Sequence, residues 1–84
     1  MKVELPNGQI LHYTFIHDTW DRWSECDVDY NGRRVRGDAW VHPKDRFVKA
    51  IGRKLSLHRA LHQLPLTKED RRVVWQSYLS RGKQ

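Results

Sequence analysis

Hydrophobic and polar positions follow one period in the first half of the chain and another in the second. "KVELPNGQILHYTFI" carries two short β-like runs around Pro6-Asn7-Gly8. Asn-Gly favours a tight hairpin, because both turn positions take positive φ. In the second run Leu11, Tyr13 and Phe15 fall on one face, with Ile10 and Ile16 opposite. "HDTWDRW" has no regular period and reads as a loop, with Trp20 and Trp23 folding back on the core. "SECDVDYNGRRVRGDAWV" is a second Asn-Gly hairpin. Its first arm alternates Cys26, Val28 and Tyr30 with Glu25, Asp27 and Asp29, so one face is wet. The returning arm sets Arg34 and Arg36 against those acids, and cross-strand Asp–Arg pairs are expected. Gly37 marks a bulge or a close backbone approach.

At Pro43 the period lengthens. Proline suits a first helical turn and Asp45 suits its positive end. Phe47, Val48, Ile51 and Leu55 form one apolar stripe at helical spacing. Leu57, Ala60, Leu61 and Leu64 form a second, rotated about the axis, and Pro65 ends the helix. Thr67 with Asp70 resembles a capping box opening a second helix. Val74, Trp75, Tyr78 and Leu79 form its core side, and Gly82 stands where a C-terminal cap belongs. The order predicted is ββββαα. Two β-hairpins make an antiparallel sheet over residues 1–42, and two C-terminal helices over 43–82 cover one of its faces. This is a single α+β domain spanning 1–84.

Gly52 interrupts the first helix, at about 1 kcal/mol relative to alanine. Either the helix crosses another backbone closely there, or it kinks so that both stripes meet the core. Arg53 and Lys54 follow at once. Arg46, Lys49 and Arg53 share a face at i, i+3 and i+7, and no carboxylate follows them at i+3 or i+4. Guanidinium forks suit phosphates, so this surface is a candidate anion site.

Charge sharpens that reading. The net charge is +6. Residues 1–42 hold five Lys/Arg against seven Asp/Glu, and residues 43–84 hold eleven against three, a net of +8 in the helical half. A field this one-sided attracts polyanions: nucleotides, nucleic acid or an acidic protein surface. Trp40 and Phe47 flank the Pro43 junction, and Arg33, Arg34 and Arg36 come from the adjoining hairpin. Aromatic platforms with nearby arginines are what a base and its phosphate need.

Other chemistry finds little footing. The lone Cys26 cannot form an internal disulfide and suits a reducing cytoplasm. "MKVELPNG" lacks the apolar core of a signal peptide. No run approaches the ~18 apolar residues of a membrane span. The Walker pattern is missing around Gly52. His58 and His62 have metal-ligand spacing but no third ligand nearby. Ser24, Ser56 and Cys26 belong to no nucleophile motif. No catalytic residue, metal or cofactor is expected, and the chain reads as a binding protein rather than an enzyme.

The stretch "VRGDAWVHPKDRFVKAIGRKLSLHRAL" resembles a group of small phage-encoded accessory proteins. Their shared pattern is matched by Gly37 and Ala39, by Pro43, Asp45 and Phe47, by Gly52, Arg53 and Lys54, and by Leu57, Arg59, Ala60 and Leu61. Ser56 departs from the usual alanine. "RRVVWQSY" near the end also fits the type. The group is similar to phage anti-defence sponges that counter Thoeris-type signalling. Such proteins join a small antiparallel sheet to C-terminal helices, assemble as homo-oligomers and sequester cyclic nucleotide or cyclic ADP-ribose signals without cleaving them. The resemblance implies an anionic nucleotide partner in the host cytoplasm. It places binding residues among Phe47, Arg53, Lys54, Arg59 and the Arg33, Arg34 and Arg36 cluster, and the aromatic reading above adds Trp40. Two alternatives stand: a DNA- or RNA-binding accessory protein, or a protein–protein inhibitor of a host defence or nuclease complex.

Overall fold

The computed structural model describes residues 1–18, 20–41, 46 and 48–81. Four strands, β1 (Lys2–Glu4), β2 (Ile10–Asp18), β3 (Trp23–Tyr30) and β4 (Arg33–Trp40), precede two helices, α1 (Lys49–Leu61) and α2 (Lys68–Arg81). The sheet is antiparallel, in the order β1-β2-β3-β4. The α+β, ββββαα layout expected from the periodicity is therefore the one present. Among the described residues no helix is long and apolar enough to cross a membrane.

The turns differ in kind. Between β3 and β4, Asn31 and Gly32 take φ of 50° and 79°, the paired left-handed turn that Asn-Gly allows. Between β1 and β2 only Gly8 is left-handed, at 84°. There the Gly8 amide donates to the Leu5 carbonyl at 2.9 Å, closing a turn centred on Pro6-Asn7. Proline fixes the φ that this turn wants, so Asn7 is not driven left-handed. The expected loop at 17–23 is shortened at both ends by strand, with 20–22 as its turn. β2 runs through Asp18 and β3 starts at Trp23. Trp20, expected to fold back, is 92% exposed at the turn between them. Asp18 Oδ1 accepts the amides of Trp20 and Asp21, both at 3.0 Å, and so fixes that tight turn with the indole outside.

One sheet face carries Leu11, Tyr13, Cys26 and Val28, all buried under the helices with Leu57, Ala60, Leu61, Leu64, Leu66 and Val74. α1 packs on β3 and β4, and α2 reaches β1. The phase of α1 differs from that expected. Val48, Ile51 and Leu55 are exposed, and the buried face is Gly52, Ser56, Leu57, Ala60 and Leu61. Small residues at i, i+4 and i+8 let the helix axis approach the sheet. A Cβ on Gly52 would lie on the Ser24 side chain, and one on Gly37 would collide with the Ser56 carbonyl and come within 2.5 Å of the Ala60 nitrogen. At Gly52 the structure shows close packing, but against the Ser24 side chain and not another backbone; the close backbone approach is at Gly37. Arg59 and Gln63 then tie the helix to β4 by donating to the carbonyls of Asp38 and Arg36.

α1 also starts later than expected. Val48 is extended, with φ −123° and ψ 112°, so Arg46 precedes the helix instead of sharing a face with Arg53. Pro43, Asp45, Phe47 and Gly82 lie outside the described residues. α2 opens as expected: the Asp70 amide donates to Thr67 Oγ1 at 3.1 Å, and the Thr67 amide to Asp70 Oδ2 at 3.3 Å. Its Leu79, expected on the core side, is half exposed, and Val74 takes the buried position.

Candidate functional site

The expected site residues divide between two layers. Arg34 and Arg36 are on the face of the sheet that the helices leave open. Arg34 grips Asp29 with two nitrogens, at 2.8 and 3.2 Å. Arg36 lies 3.2 Å from both Glu25 and Asp27. Arg33 is exposed beside the Asn31-Gly32 turn. Trp40 is 67% exposed and pairs with Trp23, ring centroids 6.3 Å apart, on that same open face. Arg59 is occupied by the Asp38 carbonyl. Arg53 and Lys54 ride on α1, in the other layer. The structure does not bring them together with Arg34, Arg36 and Trp40. Phe47 is outside the described residues.

Electrostatically the open face is self-satisfied. Hydrogen bonds from Arg34 hold the Asp29 carboxyl below its ordinary range, and those to Asp29 and Asp27 hold both guanidinium groups above theirs. Burial pushes the Glu25 carboxyl up, the Asp27 charge adds to this, and Arg36 opposes it.

The helical layer is different. A groove of about 380 Å³ runs between α1 and α2. α1 lines it with His58, Leu61 and His62, and α2 with Lys68, Arg71, Arg72 and Trp75. Helical spacing explains the gathering. His58 and His62 are one turn apart, their rings edge-on at 4.3 Å. Lys68, Arg71, Arg72 and Trp75 follow at i, i+3, i+4 and i+7 on one face of α2. Lys54 precedes His58 by one turn on the same side of α1. The start of α2 is fixed by its capping box and by Asn7, whose amide donates to Tyr30 Oη at 2.8 Å and reaches Asp70 Oδ2 at 3.4 Å. Arg71 is aimed by a 2.8 Å bond to the Leu66 carbonyl.

No lining residue is acidic, and among the described residues no ion pair takes up Lys68, Arg71 or Arg72. Cations in a first helical turn oppose the helix dipole. Thr67 and Asp70 already occupy each other's amides, so an anion here would be held by side chains. The groove can therefore bind phosphate through charged forks and offer the Trp75 indole to an apolar or aromatic group.

Sequence reasoning placed Trp75 in the core and set His58 and His62 aside. Their signal was present as Arg71-Arg72 one turn ahead of an aromatic, and as an i, i+4 histidine pair. Among the described residues no group of three His, Cys, Asp or Glu side chains could hold a metal. Compared with protein-family models, curated proteins and solved structures, the chain matches none.

Proposed function

We propose that this protein binds a phosphate-bearing nucleotide in the groove between α1 and α2 and holds it without transforming it. One observation carries the reading: His58, His62, Lys68, Arg71 and Arg72 converge on one groove that has no acidic lining, with the Trp75 ring as a wall. The groove volume falls within the ~300–1,000 Å³ of small-molecule sites. Lys68, Arg71 and Arg72 meet the phosphate, and Trp75 packs against the base. Sequestering a nucleotide-derived immune signal in an infected host is the role that the resemblance to phage accessory proteins adds to this chemistry.

The test is titration calorimetry with mononucleotides and cyclic nucleotides. Binding is expected, weakened about tenfold or more by Arg72→Ala, since a charge-assisted contact is worth ~1.5–3 kcal/mol. No heat with any nucleotide would sink the reading. The +8 helical half favours a second reading, nucleic-acid binding. In that case affinity falls linearly on a log–log plot against salt, with a slope set by the number of phosphates engaged.

A further inference from the structure

Two exposed apolar surfaces lie outside the groove. One is at an end of the open sheet face. Trp23 and Trp40 stand directly opposite each other in the β3–β4 register, and in the next outward-facing row Ile16 and Asp38 flank Glu25. Ile16 and Trp40 are exposed, and Trp20 stands out from the adjoining turn. The other surface is on α1. Val48, Ile51 and Leu55 recur at i, i+3 and i+7 on the side turned away from the sheet, and all three are exposed. Apolar side chains gathered in this way and rimmed by polar ones mark interaction surfaces.

The two rims carry opposite charge. Asp18, Asp21 and Asp38 border the tryptophan patch, against Arg22. Among the described residues no ion pair takes up these three acids, whereas Asp29, Asp27 and Glu25 further along the face are engaged by Arg34 and Arg36. The α1 stripe runs among Arg46, Lys49, Lys54 and Arg59, and the sequence holds no acid from Arg46 to Lys68. The shapes agree as well. A helix laid on a sheet face is the layering that the molecule already uses on its other side. One chain cannot join its own two patches, because the sheet patch faces one way and the outer side of α1 the other.

We infer that the partner of each surface is a second copy of this chain: the α1 stripe of one copy seats on the tryptophan end of the open sheet of the next. Ile51 and Leu55 meet Trp40, Trp23 and Ile16, and the basic rim meets the acidic one. The contact joins unlike surfaces, so it repeats head to tail and gives a closed ring or an open chain. None of these residues lines the α1–α2 groove, so the pairing stands apart from nucleotide binding.

The experiment is sedimentation velocity of the full chain across a range of protein concentrations, at low and at high salt. Mass above a single chain is expected to appear as concentration rises, and to recede with salt because the rim charges are exposed. Trp40→Ser and Ile51→Lys should each weaken association roughly thirtyfold or more, the loss typical of an anchoring side chain. The decisive sample is their equimolar mixture. Trp40→Ser keeps its helix stripe and Ile51→Lys keeps its sheet patch, so one good contact remains between them. The mixture should therefore form a one-to-one dimer and nothing larger. A mixture that stays as single chains, or either variant associating as the parent does, overturns the pairing of unlike surfaces. So does a parent that remains a single chain up to about 1 mM at low salt, where only the weakest contacts stay unformed. Melting curves recorded at dilutions where the parent is a single chain should match for parent and variants, which makes any loss local. Ile16→Ser with Leu55→Lys, on the same two surfaces, repeats the mixture as an independent pair.

Discussion

Two glycines set the distance between helix and sheet, and they are not equivalent. Gly37 faces backbone, which cannot rotate away, whereas Gly52 faces the short Ser24 side chain. Gly37→Ala is expected near the upper end of the ~1–3 kcal/mol that overpacking costs. Gly52→Ala should lose less, because alanine regains ~1 kcal/mol of helix propensity. Adding Ser24→Gly to Gly52→Ala should recover part of that loss. Urea unfolding of the three variants checks the order. His17 gives a pH signature at the same scale. Its folded pKa lies below the ordinary 6.5, so below that pH the unfolded chain binds the proton more readily. Stability should therefore hold above pH 6.5 and fall as pH drops through the window down to the folded value. Arg53→Ala should move the His17 titration upward by NMR and narrow the window. Cys26 is buried, and its thiol is pushed up to about 12. Labelling by a thiol reagent should proceed only as fast as the fold opens.

At the scale of elements, some features were legible because local chemistry decides them. The alternation of Cys26, Val28 and Tyr30 with acids wrote β3, Asn31-Gly32 wrote its turn, and Thr67 with Asp70 wrote the start of α2. The face of α1 was misread for a physical reason. Val48, Ile51 and Leu55 are large and evenly spaced, so they outweigh Gly52, Ser56 and Ala60 in any hydrophobic pattern. Yet a helix seated this close to a sheet needs small residues on its inner side. Arg53 and Lys54 could be picked out from their place beside Gly52. The α1–α2 groove could not, since it depends on how two separately amphipathic helices are set on the sheet. A pair of substitutions shows the inversion. Ile51→Lys should change stability by no more than about 0.5 kcal/mol, and Leu57→Ala should cost ~2–5 kcal/mol. Thermal melts of both decide which face is core.

For the whole molecule, the unequal charge of the two halves has an energetic reading. Lys68 and Arg71 share the first turn of α2 with Glu69 and Asp70, and Arg72 follows beside two histidines; repulsion among these cations would be relieved by a bound anion. Lys68→Gln is expected to raise stability by ~0.3–1 kcal/mol in the absence of ligand, and Arg72→Gln, which lies past the first turn, by less. Phosphate should raise the Tm of the parent more than chloride does at equal ionic strength, and the double variant should lose that difference. Scanning calorimetry reads both effects. A protein made more stable by losing its cations would be one that keeps them for a partner.

The bonds from Arg59 and Gln63 to the carbonyls of Asp38 and Arg36 have a further consequence. β4 is the last strand of its sheet, and a bare rim of carbonyls is a template on which another chain can add a strand. Here the molecule covers two of those acceptors with donors from α1 and from the turn just after it. Replacing both residues with alanine would uncover the rim while leaving the core intact. The outcome to look for is faster growth of thioflavin-binding fibrils on gentle heating. The guanidinium of Arg59 would then be a guard against polymerisation.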